Sequence, residues 1–327
     1  MSDSPAGLQR CYRIHGVDVE VLATDQPVID ATELRLRDFA SNARPDPQVS
    51  LEFVAAARNG SVAPAGAGRA VYETPHGSLR YIAEADLLYG ELGGVRLRCE
   101  ATRGVARLDC AAFVGHDLYL ATHPLVTISL MELLERRGLF SLHAACLSND
   151  DGHGVLLAGA SGAGKSTLAL AVVRAGMRFL SDDIVFLHRD RDAEVVRALG
   201  FADAVGLSEH AAQRFGELRR LLDRPPVDGF PKRLGRIEDL FGASALRACE
   251  PRALVFPEVS RDQPSAIVAL DPREALLRLV PDVLLTDAAA TQAHLRAIAA
   301  LLEQVRCYAL RSGTDLERAA ELMQALV

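Results

Sequence analysis

Residues 154–167 read Gly-Val-Leu-Leu-Ala-Gly-Ala-Ser-Gly-Ala-Gly-Lys-Ser-Thr, a short apolar run followed by a glycine-rich turn, a lysine and two hydroxyl side chains. Gly159 to Ser166 match the spacing G-x-x-x-x-G-K-S, which is typical of the phosphate-binding loop (P-loop) of nucleoside triphosphate enzymes. The glycines allow backbone angles that side chains forbid, so that amide groups can turn inward around a polyanion. The stretch therefore predicts a buried strand, a phosphate-binding loop and a helix, in that order.

Each part of this loop has an expected contribution to binding a nucleoside triphosphate. The backbone amides and the positive end of the following helix dipole are expected to surround the phosphates. Lys165 would reach the outer phosphates, and the Ser166 hydroxyl would ligate Mg²⁺, which prefers oxygen ligands. The residues predicted to bind the nucleotide are Gly159, Ala160, Ser161, Gly162, Ala163, Gly164, Lys165, Ser166 and Thr167.

Two adjacent acids follow the predicted loop helix, in the stretch Phe179-Leu180-Ser181-Asp182-Asp183-Ile184-Val185. Beside bound phosphates, one carboxylate can hold Mg²⁺ and another can take the proton from an incoming hydroxyl group. Adjacent like charges also tend to raise one of the two pKa values, which suits a base. We predict that Asp182 and Asp183 are catalytic and that Asp183 joins Ser166 as a metal ligand, while the identity of the base stays open. The alternative is a polar turn before a strand.

Three further residues are candidates for the same site. His143 lies in the strand-like run 139–147, and the turn at 149–152 predicts that this run and the loop strand form a hairpin. Such a hairpin would bring His143 near the base of the loop, although a lone histidine in an apolar strand is also typical of a core residue. Lys232 and Arg233 form a basic pair in a turn-rich segment, where they could neutralise phosphate charge in a transition state or simply be solvated.

The composition limits the class of protein. The chain has 327 residues, of which 49% are hydrophobic, enough for one large domain or two. A net charge of −7 argues against a nucleic-acid-binding surface. The six cysteines show no C-x-x-C pair or zinc spacing and are interpreted as reduced thiols. Since no secretory signal or membrane-length apolar run is found, we predict a cytoplasmic protein that binds neither nucleic acid nor membrane.

The first third of the chain shows the alternation of apolar and polar residues that is typical of strands with one exposed face. Apolar residues alternate with polar ones over Val17–Leu22, Val49–Phe53 and Val95–Cys99. One-sided alternation predicts an antiparallel sheet with one solvated face.

A helix predicted over Leu125–Arg137 marks the expected domain boundary. Residues 1–123 are assigned to a β-rich domain with a role in binding substrate or a partner, and residues 124–327 to the catalytic domain. Near the C-terminus, Thr314–Glu317 reads as a capping box that opens the last helix.

Three of these stretches, in this order, resemble the catalytic domain of HPr kinase/phosphorylase. They are Leu142-His143-Ala144-Ala145, residues 154–167, and Phe179 to Asp183. More closely, they resemble the HPr-kinase-related proteins found beside ribosomal-peptide biosynthesis genes, some of which phosphorylate a serine of a precursor or lasso-type peptide. The resemblance implies an α/β fold with a P-loop core of the HPr kinase/phosphoenolpyruvate carboxykinase type, preceded here by the β-rich domain.

The resemblance also implies an ATP- and Mg²⁺-dependent kinase that phosphorylates a serine-type hydroxyl of a peptide or protein, such as a ribosomal-peptide precursor. It implies that Asp182 and Asp183 share the base and metal roles, that His143 lines the site, and that Lys232-Arg233 corresponds to the basic loop of the related kinases. HPr kinases form assemblies, so a homo-oligomer is expected.

One departure and two alternatives qualify this assignment. The Glu-Val-Arg-Gly-like signature that HPr kinases carry after the Asp pair has no counterpart in this chain. This difference argues against a phosphorylase activity and against HPr as the substrate. The alternatives are a nucleotide-dependent regulatory module without kinase activity and a carboxykinase-like small-molecule enzyme.

Overall fold

The computed structural model describes residues 7–42, 46–55, 67–74, 76–110, 121–160, 162–189, 195–201, 205–207, 209–219, 233–242, 245–260, 262–280, 283–284 and 286–327. These residues divide into two compact units. The first unit contains the chain up to Leu139 together with Leu284–Gln292. The second unit begins at Phe140 and contains the remaining described residues. The helix predicted over Leu125–Arg137 therefore lies at the end of the first unit, whereas the sequence analysis placed it at the start of the catalytic domain.

The first unit is built on an eight-stranded sheet. Its strands are β1 (Leu8–Ile14), β2 (Val17–Ala23), β3 (Val49–Ala55), β4 (Arg69–Thr74), β5 (Gly77–Ile82), β6 (Leu87–Leu92), β7 (Val95–Glu100) and β8 (Val105–Cys110). They lie in the order β1-β2-β3-β8-β7-β6-β5-β4. In β2 and β7 every second side chain is buried, as the sequence pattern predicted.

The antiparallel prediction for this sheet is wrong at two pairings. Strand β3 runs parallel to both β2 and β8. Helix α1 (Gln26–Leu36) lies between β2 and β3 in the chain and supplies the crossover that a parallel pair needs. The alternation of apolar residues reports which face is buried but not the direction of the neighbouring strand.

Helix α2 (Val126–Glu135) packs against β3, β7 and β8. A single π-helical turn at Ala121–Leu125, which contains Pro124, precedes it. The sequence prediction of Leu125–Arg137 therefore located this helix to within two residues at its C-terminal end and one at its start. Its packing on the first sheet explains why it belongs to the first unit.

A buried polar network lies on α2. Arg136 donates to Glu132, Asp86 and Asp287 at 3.1, 2.8 and 3.0 Å. The Thr286 hydroxyl lies 2.8 Å from the Glu132 carboxylate. Glu132 is fully buried, and this desolvation raises its pKa to about 7. The network fixes the returning segment, residues 286–287, to the first unit.

The second unit combines a second eight-stranded sheet with helices and a small two-stranded sheet. The large sheet contains β9 (Phe140–Ser148), β10 (His153–Ala158), β11 (Arg178–Ser181), β12 (Ile184–Arg189), β13 (Val196–Gly200), β16 (Ala248–Val259), β17 (Ala266–Ala269) and β18 (Arg306–Ser312). The small sheet pairs β14 (Val205–Leu207) with β15 (Arg233–Gly235). The further helices of the described chain are α3 (Lys165–Arg174), α4 (Glu209–Arg214), α5 (Ile237–Phe241), α6 (Pro272–Leu279), α7 (Ala288–Gln304) and α8 (Leu316–Gln324).

The pairings of the large sheet place the glycine-rich stretch at its centre. The hairpin predicted between β9 and β10 is confirmed, with antiparallel pairing on either side of the turn at 149–152. Strand β10 pairs in parallel with β16, and β16 in parallel with β18. On its other side, β9 pairs first with β12 and then with β11. The strands lie in the order β10-β9-β12-β13-β16-β18-β17, and β11 also pairs with β9. The additional pairing of β10 with β16 places β10 between β9 and β16.

Both faces of this sheet are covered, which explains the near-continuous apolar runs of β9 and β10. Ala145, Leu147 and Leu157 face a core shared with α3 and α8. Ala144 and Leu156 face the opposite core, which includes residues of α6 and α7. The chain is thus mixed α/β, with a β-rich first unit.

Three further observations complete the fold. The predicted capping box is wrong, because α8 begins after Asp315, whose carboxylate accepts hydrogen bonds from Ser265 instead of capping the helix.

All six cysteines are free thiols, and the sulfurs of Cys146 and Cys249 lie 3.5 Å apart across Gly154. None of the helices in the described chain has the length and hydropathy needed to cross a membrane.

Candidate functional site

The loop between β10 and α3, residues 159–164, is called the glycine loop below. The φ angles of Gly159, Gly162 and Gly164 are 136, 85 and 91°. L-residues with a side chain rarely adopt this region, so the backbone conformation itself requires glycine. At Gly164 the space is also limited, since an added Cβ would lie 3.2 Å from Val259 Cγ2. Ser161 lies outside the described residues.

Lys165 opens α3, and its side chain folds back over the glycine loop. It is only 8% exposed, and its ammonium group donates to the carbonyl oxygens of Gly159 and Ala160 at 2.5 and 3.3 Å. Ser166 and Thr167 follow in the first helical turn and are half-buried. That turn contains no acidic residue, so the helix supplies no carboxylate of its own to neutralise the positive end of its dipole. These groups together fit an anion bound by the loop amides.

The strand register brings His143 and the Asp pair to the same edge of the sheet as the glycine loop. On β9, Ala144 pairs with Ala158, the last residue of β10, and His143 pairs with Ile184, the first residue of β12. Asp182–Asp183 form the bend that joins β11 to β12 on the far side of β9. Because neighbouring strands lie about 4.8 Å apart, this bend and the start of the glycine loop are separated by roughly 10 Å.

His143 and Asp183 contact each other directly. The distance from His143 Nε2 to Asp183 Oδ1 is 3.0 Å, and the two side chains are 34% and 56% exposed. His143 projects from the face that carries α3, since Ala145 and Leu147 alternate with it and lie in the core beneath that helix. A bond to a carboxylate fixes the orientation and tautomer of an imidazole, so the pair can handle a proton at a defined place.

A buried serine shapes the bend that carries the acids. Ser181 Oγ lies 2.6 Å from the carbonyl oxygen of Ile184 and 3.0 Å from that of Phe201. This hydroxyl links the two ends of the bend to the start of the segment after β13. Sequence reasoning missed it, although a single hydroxyl residue at the end of an apolar strand, directly before two acids, is a signal for such a bond.

The predicted basic pair is only partly described. Lys232 lies outside the described residues. Arg233 is half-buried at the start of β15, where it pairs with Leu207 of β14. Leu207 belongs to the core beneath α3, and β14 packs against that helix. The structure therefore places Arg233 on a small sheet that packs on the helix following the glycine loop.

The metal-binding capacity of the site is limited. In the described part of the chain, no group of three or more His, Cys, Asp or Glu side chains could hold a metal ion. Mg²⁺ retains several waters and is commonly bound by one or two protein oxygens together with phosphate oxygens. The metal role predicted for Ser166 and Asp183 would therefore need phosphate oxygens and waters to complete the coordination.

Comparison with known proteins finds one family model that matches this part of the chain. The family model described as the HPr Serine kinase C-terminal domain matches residues 139–204. Over this segment, about a fifth of the chain, the sequence is similar to the HPr kinase family. The HPr-kinase-like segment contains β9 to β13, the glycine loop, His143 and the Asp pair, whereas Arg233 lies beyond it.

The other comparisons are less informative. No curated protein matches the chain. Among solved structures, the Hpr(Ser) kinase/phosphatase from Coxiella burnetii matches with 12% sequence identity and a TM-score of 0.31, over 57% of this chain and 88% of that chain. This likeness is too weak to define a fold or a site.

Proposed function

We propose that this HPr-kinase-like chain is an ATP- and Mg²⁺-dependent kinase that transfers the γ-phosphoryl group to a serine-type hydroxyl of a peptide or protein. The observation that supports it most is the 3.0 Å contact between His143 and Asp183 on the strand next to the glycine loop. A phosphate-binding loop alone would fit any nucleotide-binding protein. A carboxylate held by an imidazole beside that loop adds a group suited either to holding the metal or to activating an acceptor hydroxyl.

The donor side of the reaction is assigned to the glycine loop and α3. The loop amides and the helix N-terminus hold the phosphates. On binding, the Lys165 ammonium exchanges its two carbonyl partners for phosphate oxygens, which are stronger acceptors because they are charged. Ser166 and Asp183 would hold Mg²⁺, which would supply positive charge to neutralise the outer phosphates.

The acceptor side is assigned to the Asp bend. Asp182 and Asp183 divide two tasks between them: one accepts the proton of the acceptor hydroxyl, and one holds the metal. The hydroxyl oxygen forms a bond to the γ-phosphorus, the bond from this phosphorus to the bridging oxygen breaks, and ADP leaves. His143 orients Asp183, and the buried Ser181 hydroxyl holds the bend in place. Lys232 and Arg233 are proposed to neutralise phosphate charge as it moves.

The identity of the acceptor is proposed from the sequence resemblance alone. It is a peptide or protein, with a ribosomal-peptide precursor as the leading candidate. The β-rich first unit is proposed to bind this acceptor or a partner, and the protein is proposed to act in the cytoplasm as a homo-oligomer.

The test is incubation of the protein with labelled ATP, Mg²⁺ and candidate precursor peptides, followed by mass spectrometry for added phosphate. Asp182→Asn and Asp183→Asn should each lower the rate of transfer by roughly 100-fold or more while ATP binding persists. Asp151→Asn, in the exposed hairpin turn at the opposite end of β10, is the matched control and should transfer phosphate normally. Full transfer by both site variants would overturn the kinase assignment. ATP binding without phosphorylation of any peptide, and without ATP turnover, would instead favour the regulatory module.

A further inference from the structure

Three parallel strands end at the edge that carries the glycine loop. Strands β10, β16 and β18 are neighbours and run in the same direction. The last pairing of β10 with β16 joins Leu157 to Val255, and β16 then continues to Val259, beyond the end of β10. In open α/β sheets, ligands bind in the crevice outside the carboxyl ends of parallel strands. The edge available to a ligand therefore continues past the glycine loop, on the side away from the Asp bend.

Val259 presents an apolar surface on this continuation. Its side chain is 60% exposed, and a Cβ added to Gly164 would lie 3.2 Å from Val259 Cγ2, so the valine directly borders the glycine loop. Ala253 and Val255 alternate with it along β16 and lie in the core beneath α3. Val259 therefore projects on the same face of the sheet as the loop and α3.

Hydrogen bonds connect the turns that follow β16 and β18. The Ser260 amide donates to the Ser312 carbonyl oxygen at 2.8 Å. The Asp315 carboxylate accepts from the amide and the hydroxyl of Ser265, at 3.0 and 2.6 Å, and the Gly313 amide donates to that hydroxyl oxygen at 2.9 Å. Two separate turns are thus fixed to each other beside Val259, which pairs with Ser312.

The Asp bend sets the direction in which a nucleotide must lie. The reacting phosphate has to face Asp182–Asp183 and His143, on the β9 and β11 side of the loop. The rest of the molecule then extends in the opposite direction, over β16 and β18. Three strand spacings separate the bend from β16, about 14 Å, which suits the length of an extended nucleoside triphosphate.

We propose that Val259 and the described residues joined beside it, Ser260, Ser265, Ser312 and Gly313, form the nucleoside subsite, with the base of ATP lying against the Val259 methyl groups. The proposal rests on the kinase function above, because the position of the transferred phosphate gives the nucleotide its direction. In this subsite the base is held by contact with the aliphatic side chain of Val259.

The test separates binding of the nucleoside from binding of the phosphates. Affinities of the full chain for Mg²⁺-ATP and for inorganic tripolyphosphate with Mg²⁺ are measured by titration calorimetry. Val259→Ala should weaken ATP binding roughly threefold to tenfold, as expected for part of two buried methyl groups, and leave tripolyphosphate binding unchanged. Val268→Ala is the matched control, since Val268 is 65% exposed on the edge strand β17, and it should change neither affinity.

The outcomes distinguish the subsite from the function on which it rests. Unchanged ATP affinity in Val259→Ala, or an equal loss for both ligands, overturns the nucleoside subsite while the phosphate-binding loop stands. Failure of the parent protein to bind either ATP or tripolyphosphate overturns the proposed function and the subsite with it.

Discussion

Replacing Glu132 by glutamine should stabilise the first unit at neutral and alkaline pH. The Glu132 carboxyl is fully buried on α2, where Arg136 and Thr286 bond to it and where Asp86 and Glu135 add nearby negative charge. Burial raises its pKa from 4.5 to about 7. Since the pKa in the folded state is the higher one, the folded protein binds this proton more tightly than the unfolded chain does. The resulting stability is fully present below pH 4.5 and is lost as the pH rises through 7.

The difference between the two pKa values sets the magnitude. At 1.36 kcal/mol for each pH unit, ionisation of Glu132 costs about 3 kcal/mol of the free energy of unfolding above pH 7. Glutamine keeps an oxygen that can accept from Arg136 and Thr286 but cannot ionise. We therefore expect Glu132→Gln and the parent to differ little at pH 4.5 and the variant to be more stable by about 3 kcal/mol at pH 8.

The assay is urea unfolding of parent and variant at several pH values between 4.5 and 8, followed by a signal from the first unit. Subtracting the parent's free energy of unfolding at each pH removes the contribution of every other titrating group. A difference that is the same at pH 5 and pH 8 would refute the argument, because it would mean that Glu132 does not titrate in this range.

Three further substitutions test the second unit. Ser181→Ala removes the hydroxyl that bonds two carbonyl oxygens at the Asp bend. We expect a loss of about 1–3 kcal/mol in the free energy of unfolding, together with slower phosphoryl transfer. If neither value changed, the positioning role of Ser181 would be contradicted. Gly154→Ala would put a Cβ 2.3 Å from Cys249 Sγ, and this clash should lower the free energy of unfolding by about 1–3 kcal/mol. Adding Cys249→Ala should restore most of the lost stability. Thermal denaturation of the single and double variants measures both effects. Gly164→Ala, at φ 91°, should weaken tripolyphosphate binding measured by calorimetry, whereas Gly152→Ala, at φ 82° in the hairpin turn, should be strained by a similar amount without affecting that binding.

The local parts of the candidate site could be predicted from the sequence. The strand, loop and helix around residues 154–167 follow from the glycine spacing, and the hairpin follows from the turn at 149–152, whose two strands are adjacent in the chain. Once the hairpin is set, His143 must lie beside the loop. The contact between His143 and Asp183 needed one further fact, that β12 pairs with β9, and no local pattern encodes that pairing.

Other features depend on partners that are distant in the chain. The direction of β3 depends on the crossover through α1, and alternation of side chains is the same in parallel and antiparallel strands. Asp315 bonds to Ser265 across 50 residues, so the short-range capping signal at Thr314 gave the wrong helix start. Only the folded structure brings together the exposed Val259 and Gly164.

The return of residues 284–292 to the first unit affects how the protein is made. Glu132 and Arg136 find their partners Thr286 and Asp287 only after more than 150 further residues have been synthesised. At 5–20 residues per second, the ribosome needs roughly 8–30 s to cover this distance. Until then, a first unit that folds without residues 284–292 would lack the hydroxyl donor to Glu132 and one carboxylate partner of Arg136. A fragment ending at Leu139 would lack the same partners, so excising the β-rich unit at that boundary would leave it incomplete.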